Sequence, residues 1–354
     1  MYDKKIKILH VLVSNSYSGA ENVVCQIISM FKNNSNIEMI YCSTDGKIRK
    51  ALNERKVTYA LMKEPTKNEI KRIIKEVKPD LIHAHDMRAS FLVSIAAQKI
   101  PFISHIHNNN FNSRGVNLKS ILYLYAAVKS KHILWVSKSS FKGYYFSKLL
   151  KNKSTILYNV INSGEIEKKS ELAVEKKGYD IIYLGRLTEQ KNPKRLLDVL
   201  KITISKKSDI RIGIIGTGDL EDDVRKTIEE ENLSNNISYL GFMSNPYGIL
   251  KNSKVMIMTS LWEGTPMCAL EAMSLGVPIV STPTDGLCEL IDEGNTGYLR
   301  EDDNKLAECC VEVVENENLY NNMSQKSRDR AKDLMNIEQY KSTLETLYKR
   351  ITNC

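Results

Sequence analysis

The sequence predicts an α/β protein built of two doubly wound parallel sheets. Three observations carry that reading. Short apolar runs alternate with amphipathic helical stretches almost throughout, the pattern of parallel strands covered on both faces. The alternation breaks once, over Asn162–Gly178, where the chain turns polar and charged. The length, 354 residues, exceeds what one hydrophobic core usually organises.

In the first half the strand candidates are Ile6–Val13, Met39–Ser43, Val57–Met62, Asp80–His85, Phe102–His107, Ile133–Ser137 and Thr155–Tyr158. Helical periodicity fills intervals such as Glu21–Phe31 and Leu118–Val128. These elements make a first domain over residues 1–162, and the interruption, 163–178, reads as a linker. The alternation restarts over Asp180–Leu184, Arg211–Ile215, Ile237–Leu240, Val255–Thr259 and Pro278–Ser281, a second domain over 179–335. The segment 336–354 holds a helix near Ile337–Ile351. Tyr340, Leu344, Leu347 and Ile351 share one face of it, suited to packing back on the first domain. Two such domains create a cleft, and ligands of parallel sheets bind beyond the carboxyl ends of the strands.

No apolar run approaches the roughly 20 residues that span a bilayer. The first residues lead into a strand with no signal-peptide layout. The seven cysteines show no Cys-x-x-Cys spacing; Cys309 and Cys310 adjoin, and Cys354 is the last residue. They read as reduced thiols of a cytoplasmic protein, not a disulfide framework. The net charge of +9 is unevenly spread. Met87–Gly164 contains no Asp or Glu but eleven Lys and Arg, interleaved with Tyr123, Tyr125, Phe141, Tyr144, Tyr145 and Phe146. Such a stretch suits an anionic membrane surface or nucleic acid. The plain alternative is a solvated basic face with no partner.

The most informative segment is Glu263-Gly264-Thr265-Pro266-Met267-Cys-Ala-Leu-Glu271, followed by Ala-Met-Ser-Leu-Gly276-Val-Pro278. Thr265 reads as a helix cap and Pro266 as the first helical residue. Between that start and Gly276 the helix is apolar or small all round except Glu271, so it is buried. A lone carboxylate there needs donors: a ribose diol or, alternatively, an Arg or Lys from elsewhere. The helix N-terminus suits a diphosphate or sugar hydroxyls.

This segment resembles the signature of glycosyltransferase family 4, the group 1 enzymes of bacterial polysaccharide biosynthesis. The turn Ser281-Thr-Pro-Thr-Asp285-Gly286-Leu-Cys-Glu289 is similar too. The resemblance implies the GT-B fold, two Rossmann-like domains with parallel sheets facing a central cleft. It implies that Glu271 binds the donor ribose and that Glu263 lies against the donor sugar. The backbone after Glu263, through Gly264, Thr265, Pro266 and Met267, would contact sugar and phosphate.

Gly185-Arg186 follows a strand, and Lys191-Asn192 follows five residues later. An arginine fork and a lysine can both reach one diphosphate, and the pair matches the family's Gly-Arg…Lys-Asn motif. Fixed cations there stabilise the charge that develops as a nucleoside diphosphate leaves. Gly213-Ile-Ile-Gly216-Thr-Gly218 looks like a dinucleotide fingerprint but has Glu221 at the third glycine position. It reads better as a tight turn bordering the donor site. By resemblance the backbone near Met243 would contact the base.

In the first domain, Gly19 in Ser14-Asn-Ser-Tyr-Ser18-Gly19-Ala20 permits close backbone approach to a ligand. Here Ser18 replaces the family's first glycine; an ordinary strand-to-helix turn is the alternative. Two His-x-His pairs, His83/His85 and His105/His107, end strands. They raise the thought of a metal, yet four His with an Asp and no nearby Glu or Cys make an unusual catalytic set. The resemblance favours His107 beside the reacting centre, and no metal ligand is expected.

The expected function is retaining transfer of a sugar from a nucleotide-diphosphate donor, UDP- or GDP-linked, to an acceptor hydroxyl. Arg186, Lys191, Glu263 and His107 are the expected catalytic groups. No cofactor and no nucleic acid are expected, and the acceptor would be a glycan or lipid-linked. A peripheral location at the inner face of the plasma membrane fits Met87–Gly164. The alternatives are a sugar-nucleotide epimerase of the same fold and a non-catalytic membrane-associated scaffold.

Overall fold

The computed structural model describes residues 5–108 and 114–353. It divides into two compact units, one of residues 1–160 with 336–354 and one of 161–335. Cys354 and residues 109–113 of the basic stretch lie outside the described residues.

Unit 1 carries β1 (Ile6–Val11), β2 (Ile37–Cys42), β3 (Leu81–His85), β4 (Phe102–Ile106), β5 (His132–Trp135) and β6 (Ser154–Ile156), all parallel, in the order β2-β1-β3-β4-β5-β6. Its helices include α1 (Gly19–Phe31), α2 (Ile48–Glu54), α3 (Lys67–Val77), α4 (Asp86–Ala96), α5 (Leu118–Lys129) and α6 (Lys138–Gly143). Leu9, Val11, Ile82, Ala84 and Val93 form one buried cluster with α3 and α4; Leu12, Val24, Tyr41 and Ile48 form another on the α1 side.

The expected strand at Val57–Met62 is not a strand of this sheet. It makes only isolated bridges, Tyr41 with Tyr59 and Thr44 with Met62. Its apolar residues pack as satellites beside β2, which mimics strand patterning without a full ladder.

Unit 2 repeats the design with β7 (Ile181–Leu184), β8 (Ile212–Ile215), β9 (Ile237–Gly241), β10 (Val255–Met258), β11 (Ile279–Ser281) and β12 (Gly297–Leu299), in the order β12-β11-β10-β7-β8-β9. The three-residue β12 was not expected from the sequence. The segment read as a linker begins with helix α7 (Ser163–Glu171), whose N-terminus Asn162 caps by accepting the Glu165 N–H at 3.0 Å. Only Ile166 and Ser170 are buried on it, so its apolar signal is faint. It packs on α10 (Tyr247–Lys251) and α11 (Met267–Ser274). Helices α8 (Pro193–Lys206), α9 (Glu221–Glu230), α12 (Asp285–Leu290), α13 (Asp303–Glu315) and α14 (Glu317–Leu334) complete the unit.

Helix α15 (Ile337–Thr352) belongs to unit 1 and packs on α1 and β3. Tyr340, Leu344 and Leu347 are buried as expected, but Tyr348 replaces Ile351 as the fourth. Its ring stands 6.1 Å from that of Phe31. Among the described residues no helix is long and apolar enough to cross a membrane.

Candidate functional site

In unit 2 the strand order reverses between β7 and β10, which opens a crevice at their carboxyl ends. β7 runs into Gly185 and Arg186, then a single turn of 3-10 helix, Glu189–Lys191, before α8. β10 runs into residues 259–266 and then α11.

These two connections bring Lys191 and Glu263 together, Nζ to Oε1 at 2.5 Å, with side chains 11% and 5% exposed. Burial alone would lower the lysine pKa, but the Glu263 carboxylate outweighs it and the net shift is upward. Lys191 is therefore a fixed cation, not a mobile loop lysine. The loops are laced around it. The Gln190 carbonyl accepts from the Leu261 N–H at 2.8 Å, and the Gln190 amide donates to the Trp262 carbonyl at 3.0 Å. Arg186 is exposed, and its guanidinium donates a long 3.4 Å bond to Gln190 Oε1. The Tyr183 hydroxyl holds the Arg186 carbonyl at 2.9 Å.

Two glycines make this packing feasible. At Gly216, with φ +141°, a Cβ would lie 1.8 Å from the Gly185 carbonyl oxygen. At Gly286 a Cβ would lie 1.6 Å from the carbonyl oxygen of Gly264. Turn and motif are thus pressed backbone to backbone.

Helix α11 starts one residue later than expected. Pro266, at φ −68° and ψ 122°, is the N-cap and Met267 the first helical residue, so Thr265 is not the cap. The proline's extended ψ keeps it outside the helix, and its missing N–H costs nothing there. Glu271 lies within the buried face, 8% exposed, and accepts from the Tyr247 hydroxyl at 3.2 Å. Among the described residues no Lys or Arg forms an ion pair with it. Burial pushes its carboxyl up to about 7, against the Tyr247 hydrogen bond. Near neutrality the two protonation states are balanced, and a ligand offering two hydroxyl donors would favour the carboxylate. Met243 stands apart, half-buried just past β9.

In unit 1 the reversal falls between β1 and β3. After β1, the Ser18 N–H and hydroxyl both donate to Glu21, fixing the start of α1. Gly19 opens that helix, and a Cβ there would meet nothing within 4 Å. His107 follows β4, and its backbone N–H donates to Asp86 Oδ1 at 2.9 Å. Burial raises the Asp86 carboxyl to about 6.

His107 does not stand alone. Register places His10 opposite His83 and His85 opposite His105, so with His107 five imidazoles share one sheet face. His10 Nδ1 meets His85 Nε2 at 3.0 Å, His85 Nδ1 meets His107 Nε2 at 2.8 Å, and His83 Nδ1 meets the Tyr348 hydroxyl at 2.9 Å. Burial lowers all five pKa values, those of His10 and His107 to about 3. Among the described residues, five ring nitrogens are buried without a partner: His10 Nε2, His83 Nε2, both of His105 and His107 Nδ1. Each unsatisfied buried group costs about 1–3 kcal/mol.

The structure thus brings Gly185, Arg186, Lys191, Glu263, Gly264, Thr265 and Pro266 to two neighbouring connections of unit 2, with Met267 and Glu271 in the helix α11 that follows one of them. Sequence reasoning missed His10, Tyr247 and Tyr348. His10 carries no local signal in the sequence; only the pairing of β1 with β3 brings it opposite His83.

Residues 164–330 match the group 1 glycosyl transferases, and residues 17–163 match glycosyltransferase family 4. The chain is 25% identical over 379 aligned residues to the UDP-Gal:α-D-GlcNAc-diphosphoundecaprenol α-1,3-galactosyltransferase of Escherichia coli, spanning 97% of each protein. It is 33% identical over 251 residues to an uncharacterised glycosyltransferase of Methanocaldococcus jannaschii, 62% of this chain and 60% of that protein. The crystal structure of Anabaena HepE in complex with UDP-glucose superposes with a TM-score of 0.82 at 18% identity, over 97% of this chain and 99% of that one. That likeness shows the GT-B fold. With both halves of the chain matched, the protein belongs to the group 1 glycosyltransferases, enzymes that act on nucleotide sugars.

Proposed function

We propose that this enzyme transfers a sugar, with retention of anomeric configuration, from a UDP- or GDP-linked donor to a hydroxyl of a lipid-linked or polysaccharide acceptor. The observation that carries the donor assignment is the gathering of Arg186, the Lys191–Glu263 pair, the α11 N-terminus and Glu271 at two adjacent strand ends. Arg186 and Lys191 take the diphosphate and stabilise the charge that develops on it. The first N–H groups of α11 add a positive dipole end. Glu271 accepts from the ribose diol, and Glu263 fixes Lys191 while facing the sugar. Gly185 and the backbone from Gly264 to Met267 line the donor, with Met243 at the base. In unit 1, His107 is the proposed catalytic imidazole and Gly19 the proposed point of close backbone approach. Donor binding uses no metal ion, and the leaving phosphate takes the acceptor proton.

The acceptor assignment rests on unit 1. Leu118, Ile121, Tyr125 and Val128 are exposed along one face of α5, with Val116, Tyr145 and Leu149 exposed nearby in sequence. Lys119, Lys129, Lys142, Lys148 and Lys151 are exposed in the same acid-free stretch. Exposed apolar residues among lysines suit the interface of an anionic bilayer. The acceptor named for the Escherichia coli relative is itself a lipid diphosphate.

The test is a thermal-shift panel of UDP and GDP sugars, followed by NMR of the product formed with lipid-diphosphate acceptors. Stabilisation by one nucleotide sugar and an axial-type product linkage matching the donor anomer are expected. Conversion of the nucleotide sugar without acceptor would overturn the transferase reading in favour of epimerisation. An inverted product would overturn retention.

A further inference from the structure

We propose that His10, His83 and His85, beneath Tyr348 in unit 1, form a three-imidazole site for a divalent transition metal, with zinc the best match. On sequence the two histidine pairs, with an Asp and no nearby Glu or Cys, make an unusual ligand set. The fold adds His10 from β1, register-paired with His83, to the set. Each of the three offers one ring nitrogen, and these lie within 4.8 Å of one another. The rings are 0%, 0% and 1% exposed, so they meet a cation as a preformed, dry set.

The hydrogen bonds select the ligating atoms. His83 Nδ1 is engaged by the Tyr348 hydroxyl, which leaves the unpartnered Nε2 for the metal. His85 Nδ1 is engaged by His107 Nε2, which leaves His85 Nε2, already 3.0 Å from a nitrogen of His10. Two nitrogens on a tetrahedral zinc with bonds of about 2.0–2.1 Å stand about 3.4 Å apart, so a small relaxation admits the ion. Metal-bound histidines commonly use their second ring nitrogen to hold an outer hydrogen bond, and Tyr348 and His107 fill those two places. Three neutral imidazoles with a fourth position open are a zinc-type donor set.

The site reaches toward the proposed sugar-transfer chemistry through one proton. With Nε2 on the metal, His85 must carry its proton on Nδ1 and donate it to His107 Nε2. His107 is then locked as the Nδ1–H tautomer, a donor on its other side. This consequence rests on the proposed role of His107; the metal site itself does not.

The experiment is direct metal analysis of the full chain. Wild-type protein stripped with chelator is titrated with cobalt(II). One equivalent taken up, with the visible absorption intensity of a tetrahedral nitrogen site, is the expected result, and zinc displaces it. His10→Gln and His83→Gln abolish the band. Tyr348→Phe weakens affinity by about 10–100-fold while retaining stoichiometry. His132→Gln, the histidine outside the cluster, leaves uptake unchanged. Absence of uptake by folded wild-type protein would overturn the proposal, as would equal uptake by wild type and both ligand variants. Nucleotide-sugar binding, read separately by thermal shift, distinguishes this failure from failure of the transferase reading.

Discussion

At the carboxyl ends of β7 and β10 the chain gathers an arginine, a lysine–glutamate pair and a buried carboxyl; at the ends of β1, β3 and β4 it gathers five imidazoles. Both places follow from the same rule, since each sheet reverses its strand order there. What fills them differs in charge. Unit 2 keeps the Lys191 and Glu263 charges in a dry setting by pairing them across two loops, whereas burial in unit 1 favours the neutral form of its five imidazoles. The fold therefore chooses the location, and the charge state chooses the chemistry. A diphosphate needs the first arrangement. A transition-metal cation suits the neutral imidazoles of the second.

The contrast breaks most sharply at the ion pair. Lys191→Met leaves Glu263 buried and unpaired, which costs about 3–5 kcal/mol of stability. In the double variant Lys191→Met with Glu263→Leu, chemical denaturation is expected to recover most of that loss while transfer remains abolished. Full recovery of activity would remove the pair from the donor site. Arg186→Ala touches an exposed side chain, so an unchanged Tm is expected with kcat down by about 10²–10³. A large fall in Tm would reassign Arg186 to structure.

Glu271 offers a pH test of unit 2. Its carboxyl ordinarily titrates at 4.5 and is raised to about 7 in the folded protein. Between those values the folded state binds more protons than the unfolded one, so this group's contribution to stability is full below 4.5 and lost as pH rises through 7. Glu271→Gln should flatten that slope in melting curves measured from pH 4 to 8. It should also weaken nucleotide-sugar binding most above pH 7, where the carboxylate form prevails. The smallest effect is expected for Tyr247→Phe. It removes one hydrogen bond to Glu271, worth about 1 kcal/mol, and shifts the onset of tight donor binding to higher pH.

The comparison also explains what the sequence made legible. Glu263 and Glu271 sit within one short motif whose apolar surroundings announce a buried helix, so their importance could be read locally. Their partners could not. Lys191 is 72 positions from Glu263, and Tyr247 is 24 from Glu271. The histidine cluster needs three strands in register, and no local pattern links His10 to His85, 75 residues on. Helix α7 escaped because only two of its residues face the core, and β12 because three residues carry no periodicity. Val57–Met62 misled in the other direction, being apolar enough for a strand yet bonded only at single bridges.

The return of α15 to unit 1 sets an order of synthesis. Unit 2 is continuous in the chain, residues 161–335, and can complete its core as soon as it has emerged from the ribosome. Unit 1 begins first but finishes last, because Tyr340, Leu344, Leu347 and Tyr348 must arrive before α1 and β3 are covered. Until then Tyr348 cannot cover His83, so unit 1 stays incomplete for longer than unit 2.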